Sequence, residues 1–229
     1  MKKIKDYITM HKYSLILLYW PIHSIWYELL RICFFDSEVL LIEGPLDAKI
    51  PFCEWFIIPY CTWYFCIAAI VIYPLFKSDR REFLRSNLVL IGAMLIPMLI
   101  CTFIPNGIDM ALRPDLDALG RDNFAIDLVK MIYAVDTPPR NVMPSMHVSI
   151  SFAMFFVILQ SKTMCKKLYA KLLSGIWCVM ISASTVFIKQ HSILDVYAGI
   201  AVAVVVALVG YIGERIYDRK KQIKRKVRK

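Results

Sequence analysis

The sequence predicts an all-α, polytopic membrane protein of six transmembrane helices, and three observations point there. Of its 229 residues 59% are hydrophobic and the mean hydropathy is +0.56, against an apolar share of about 45–50% for a soluble domain. The apolar residues are gathered into blocks close to the roughly 20 residues that cross a bilayer core. The charged residues, 20% of the chain with a net charge of +10, stand between those blocks. Such a chain is not disordered, and its patterning argues against a soluble globule.

Six stretches qualify as spans: 14–35, 54–76, 86–104, 145–161, 171–188 and 193–213. The first carries Pro21, His23, Glu28 and Arg31, and no small-residue cleavage site follows it, so it is not read as a signal peptide. The fourth and fifth are short and need neighbouring helices or snorkelling flanks to cross. Residues 1–229 form one domain, with a core at about 105–213 and a basic tail at 214–229. In the long loop 105–143, Phe124, Leu128, Met131, Ile132 and Val135 recur at helical spacing. This predicts a short helix over Asp122–Val135, lying on the outer membrane surface or roofing a pocket. Seven Cys without a CxxC pair give no sign of a disulfide framework or zinc site.

Basic residues set the orientation. Most of the 28 Lys and Arg fall in four places that alternate with the spans. These are the N-terminal tail (Lys2, Lys3, Lys5, Lys12), the loop with Lys77, Arg80, Arg81 and Arg85, the loop with Lys162, Lys166, Lys167 and Lys171, and the C-terminal tail from Arg215. Both termini are therefore expected in the cytoplasm, with His11 solvated at that edge. The tail reads as a topology anchor more readily than as a contact for anionic lipid or nucleic acid. Loops 36–53 and 105–143 and the turn Lys189–Ser192 face outward.

Ionisable groups at membrane depth are costly and usually functional. Here they gather at one height: His147 at the start of the fourth span, His191 and Asp195 at the start of the sixth, Arg113 and Arg140 in the loop between. Both spans run inward from the outer side, so two helix N-termini, with their unpaired N–H groups, face outward. Pro144 suits the first turn of the fourth helix, and Asn141 or Ser145 could cap it. Together these groups suit an anion, phosphate above all, at the level of lipid head groups. His191 and Asp195, four apart, share one face if helix holds across them. The carboxylate would fix the tautomer and leave the other ring nitrogen free as nucleophile or base. His147, from another helix, could act as acid and then as base. His23 is read as a satisfied interior histidine. Two His and one Asp without a further ligand do not call for a metal, and no cofactor is expected.

These residues resemble the type 2 phosphatidic acid phosphatase superfamily, whose motifs are K-x6-R-P, P-S-G-H and S-R-x5-H-x3-D. The second reads here Pro144-Ser145-Met146-His147, and the third reads Ser184-Thr185, then His191 and Asp195. The first keeps Arg113-Pro114 but has Asn106 at its lysine. The resemblance implies His191 as the nucleophile that forms a phosphohistidine, Asp195 as its orienter, His147 as general acid and base, and Arg113 and Ser145 as phosphate ligands. Lys189 and Arg140 could stand in for the cations missing at 106 and 185. The lost lysine, and the run from Pro45-Leu46-Asp47 to Tyr60, look more like the sphingomyelin synthase and inositol phosphorylceramide synthase branch.

Three functions follow as expectations. The first is a lipid phosphate phosphatase in the plasma membrane with its site on the extracytoplasmic side. The second transfers a phospho-head group to a lipid alcohol. The third is a binder or carrier of anionic lipid without chemistry. The oligomeric state is not legible in the sequence.

Overall fold

The computed structural model describes residues 12–162 and 167–227. Lys2, Lys3, Lys5, His11, Lys166, Arg228 and Lys229 lie outside the described residues. The chain forms α1 (Tyr19–Cys33), entered through a 3-10 segment at Lys12–Leu18, then α2 (Ile57–Lys77), α3 (Arg80–Phe103), α4 (Phe124–Val135), α5 (Met146–Gln160), α6 (Leu168–Phe187) and α7 (Ile193–Val227). Two short strands, β1 (Leu40–Leu41) and β2 (Asn106–Gly107), pair in parallel, and Gly107 also bridges to Arg140.

Four helical stretches are long and apolar enough to cross a membrane: Glu54–Lys77, Arg80–Phe103, Leu168–Phe187 and Ile193–Lys224. The fifth expected span starts three residues early and is a full 20-residue helix. The fourth expected span is the 15-residue α5, about 22 Å of helix, and the first is the 15-residue α1 with its 3-10 extension. Large apolar side chains stand exposed on the outer helix faces, among them Phe65, Phe76, Phe103, Leu172, Ile176, Leu208 and Val209. Hydrocarbon chains would cover them as they cover the outside of any helical bundle in a bilayer.

The shortest of the central helices lies deepest. α5 packs against α7, α6, α3 and α2, and Val148, Ser149, Ile150 and Ala153 are fully enclosed. Close approach rests on small residues. A Cβ on Gly199 of α7 would lie 2.8 Å from the Ser145 carbonyl oxygen and 3.0 Å from Val148 Cβ. The Ser149 hydroxyl donates to the Ala93 carbonyl at 2.6 Å, tying α5 to α3.

At the other end of these helices a polar latch closes the bundle. Asp79 caps α3, accepting from Glu82 N at 2.8 Å, and pairs with Lys162 at 2.9 Å. Buried Glu82 accepts from the Ser161 hydroxyl at 2.7 Å and from Lys162 N at 3.1 Å. Arg81 pairs with Asp218 at 2.6 Å, and Arg85 with Glu214, which joins α3 to the extended end of α7.

α4 begins at the cap Asn123, whose side chain accepts from Ala125 N and Ile126 N. Its buried face is Ala125, Ile126 and Val129. The stripe expected from periodicity is split, because Phe124, Met131 and Val135 point outward. The helix therefore has apolar residues on two sides, one on Ile57, Tyr60 and Ile188 and the other uncovered.

Candidate active site

The turn between α6 and α7 builds the first half of the site. Lys189 adopts φ 53°, in the left-handed region, and reverses the chain. Ser192 then opens α7 with a reciprocal cap: its hydroxyl accepts from Leu194 N at 3.1 Å, and Asp195 Oδ2 accepts from Ser192 N at 2.9 Å. The same Oδ2 lies 3.2 Å from His191 Nδ1. His191 precedes α7, so the pair is made by a capping box and not, as expected, by two residues four apart on one helix. Nε2 of His191 takes no part in that bond, and the residue lines a cavity.

The second half comes from α5. Ser145 caps that helix, its hydroxyl accepting from Val148 N at 3.4 Å, so Pro144 stands before the cap and not in the first turn. Ser145 N donates to the Asp195 carbonyl at 3.1 Å, fixing the start of α5 on the start of α7. The His147 ring reaches 5.6 Å from the His191 ring, centroid to centroid, at 65°. It is stacked on Tyr60 at 4.6 Å and tilted against Trp63 at 4.1 Å, and its Nε2 is buried without a hydrogen-bond partner among the described residues.

Both rings line one cavity of about 530 Å³, a volume typical of a small-molecule site. Its walls are the inner face of α1 from Trp20 to Arg31, the aromatic face of α2 (Tyr60, Trp63, Tyr64), the end of α4, and the 140–142 loop. Along α1 that face runs about 16 Å, with Glu28 and Arg31 at one end and Trp20 and His23 at the other. His23 Nδ1 is 3.0 Å from the Tyr19 hydroxyl, as in a hydrogen-bonded interior histidine.

The cations are placed less freely. Arg113, buried, donates to Asp136 Oδ2 at 2.9 Å, the Asp136 carbonyl at 2.8 Å, the Thr137 hydroxyl at 3.2 Å, the Lys189 carbonyl at 3.3 Å and Gln190 Oε1 at 3.1 Å. Lys189 Nζ donates to the Asp47 carbonyl at 2.8 Å and the Ile50 carbonyl at 2.5 Å. Burial pulls its ammonium pKa below the usual value, with Asp47 opposing. Arg140 lines the cavity and donates, over 3.3–3.4 Å, to the Ser37 and Phe34 carbonyls. Among the described residues no group of three or more His, Cys, Asp and Glu converges as a metal cage would.

Over residues 86–216, more than half of the chain, the sequence matches the PAP2 superfamily. The chain belongs to the PAP2 superfamily. Membership implies phosphatase or phosphotransferase activity on phosphate esters, with a lipid or another phosphate ester as substrate. No curated protein and no solved structure matches the chain. Against the superfamily pattern, Asn106 is more than an absent lysine. Its Oδ1 accepts from Val142 N at 2.9 Å and Met143 N at 2.8 Å, and its Nδ2 donates to the Ile104 and Met143 carbonyls. It shapes the strand that leads into α5, where a lysine would have carried charge.

Sequence reading did not single out Gln190 and took Asn141 only as a possible cap. Asn141, at φ 58°, is 3% exposed and neither amide atom is bonded among the described residues; it does not cap α5. Gln190 is 3% exposed, its Nε2 unpaired among the described residues. Both line the cavity. The signal in the chain was that Gln190 adjoins His191 and Asn141 tolerates a left-handed turn. Asp47 was quoted only as part of a resemblance. Its Oδ1 accepts from Ile193 N at 2.8 Å, so it supports the start of α7.

Proposed function

We propose that the chain is a membrane-embedded enzyme that cleaves a lipid phosphoester through a phosphohistidine at His191, with water as the final acceptor. The observation that carries the reading is the pair of imidazoles, one oriented by a carboxylate, meeting at 5.6 Å on a single cavity. In the first step His191 Nε2 forms a bond to phosphorus and the bond to the lipid oxygen breaks. His147 gives its proton to that oxygen, and Asp195 steadies the Nδ1–H as the ring becomes cationic. In the second step His147 takes a proton from water, the new oxygen bonds to phosphorus, the nitrogen–phosphorus bond breaks, and phosphate leaves. We place six crossings in the bilayer, both termini in the cytoplasm and the site at the extracytoplasmic face of the plasma membrane. The alternation of basic loops with apolar stretches supports this arrangement.

A second reading, transfer to a lipid hydroxyl, is favoured by the charges around the cavity. Arg31 is paired with Glu28 and Arg113 with Asp136, and Lys189 is held on carbonyls. Arg113 and Lys189 stand behind the cavity wall; of the two cations that line it, Arg31 and Arg140, Arg140 has no carboxylate partner among the described residues. One unpaired lining charge suits a singly charged phosphodiester better than a doubly charged monoester. Purified protein is given lipid phosphates and head-group phospholipids, with and without an alcohol-bearing lipid. Released phosphate supports the first reading, and head-group transfer without free phosphate supports the second. Activity unchanged in His191→Ala, or none on either panel, contradicts both.

A further inference from the structure

Four residues that line the cavity carry buried side-chain polar atoms without a partner among the described residues: Nε1 of Trp20, Nε2 of His147, Nε2 of Gln190 and the whole side-chain amide of Asn141. An unmet buried polar group costs about 1–3 kcal/mol, so several around one cavity are a feature to be explained. Arg113 and the stand-in Lys189, meanwhile, are engaged elsewhere, and Asn106 replaces the superfamily's lysine. We propose that the phosphoryl oxygens of the substrate are held by the neutral side-chain amides of Gln190 and Asn141, which take the place of a cationic cradle.

The orientation of each amide supports this. Arg113 Nη2 donates to Gln190 Oε1 at 3.1 Å. That fixes the carbonyl end of the amide toward the guanidinium and turns the NH2 end the other way, where it meets no protein acceptor among the described residues. Gln190 also adjoins His191, and both backbone N–H groups donate to the Thr185 carbonyl, at 2.9 and 3.0 Å, so the amide and the nucleophile are set by one anchor. Asn141 is held by its backbone, N donating to the Asn106 carbonyl at 2.8 Å, while its side chain is left out of every local bond. Neutral donors aimed at a developing oxyanion stabilise charge at the moment of reaction without the affinity for a dianion that lysine and arginine confer. The proposal deepens the phosphohistidine reading and rests on it for the identity of the ligand.

Two variants test it with little disturbance of the fold. Gln190→Glu keeps the acceptor for Arg113 and replaces the free NH2 with an oxygen. Asn141→Gly keeps a backbone that favours positive φ and removes the amide. The probe for binding is a non-cleavable phosphonate analogue of a phospholipid, titrated into the protein in lipid nanodiscs. Turnover is measured separately on the lipid panel. Each variant is expected to lose about 10²-fold in kcat, to bind the phosphonate at least several-fold more weakly, and to melt within a few degrees of wild type. Unchanged kcat and phosphonate affinity would overturn the proposal. So would a large drop in Tm accompanying the loss, because the amides would then be structural. Lack of any His191-dependent turnover would sink the phosphohistidine reading instead, and phosphonate binding would still decide for or against the amides.

Discussion

Asp195 Oδ2 serves two donors at once, the Ser192 N–H and the His191 ring. Asp195→Asn would keep the size and one acceptor but lose the charge that steadies an imidazolium, and could present an N–H to Nδ1 and impose the wrong tautomer. We expect kcat to fall by about 10²–10⁴-fold, with Tm within a few degrees of wild type, read from steady-state turnover and thermal unfolding in detergent. His147 makes a different prediction. As a general acid it matters most for a poor leaving group, so His147→Ala should lose at least 10²-fold on an alkyl ester and far less in the first step on a nitrophenyl ester. Equal losses on both would remove it from the acid role. That His147, His191 and Asp195 would come together was legible because imidazole and carboxylate inside apolar stretches have few other uses. The amides of Asn141 and Gln190 were not, because Asn and Gln beside turns are ordinary, and only a three-dimensional account of partners singles them out.

Between elements, the contact of α5 with α7 decides whether two histidines 44 positions apart can share a phosphorus. Gly199 permits it. Gly199→Val would push against the Ser145 carbonyl and Val148, which costs about 1–3 kcal/mol of overpacking. It should lower kcat beyond the fraction unfolded, since Ser145 carries the start of the helix that bears His147. Turnover corrected for folded fraction measures this. At the opposite end, Asp79 caps α3, and the bonds from Lys162 and Glu82 hold its carboxyl below the usual carboxylate pKa. A depressed folded pKa means stability that is present above the unfolded value and lost as pH falls through the folded one. Asp79→Ala should therefore cost about 1 kcal/mol at pH 7, mainly through the cap, and progressively less as pH falls below the unfolded value and through the depressed folded one. Thermal unfolding of variant and wild type across that pH range compares them. The salt bridge adds little, because both partners are more than half exposed. Helices were legible as apolar blocks, but their ends were set by caps: the reciprocal Ser192–Asp195 box lay in the sequence as S-x-x-D, and reading it would have placed His191 outside the helix. The face of α4 was misjudged because periodicity counts apolar residues without saying which of them a neighbour covers.

For the whole molecule, composition and charge pattern foretold a helical bundle with exposed apolar flanks, and motif spacing foretold which helix ends would meet. The cavity itself was not foretold. It depends on α1 standing off from α2 and α5 so that Trp20, Tyr27 and Arg31 face the histidines across open space, a relation between distant segments that no local pattern encodes. Faces of α1 and α2 line the cavity, and bulky substitution there, such as Ser24→Trp, should raise KM for a lipid substrate more than it lowers kcat, by several-fold in steady-state assays. Trapping the covalent intermediate tests the central claim most directly. Enzyme turning over a phosphate-labelled lipid is quenched in alkali, where a phosphoramidate survives, and its peptides are mapped by mass spectrometry. The account predicts a phosphoryl-bearing adduct on His191, increased in His147→Ala given the nitrophenyl ester and absent in His191→Ala. Sustained turnover with no adduct at residue 191, or an adduct on any other side chain, would contradict it.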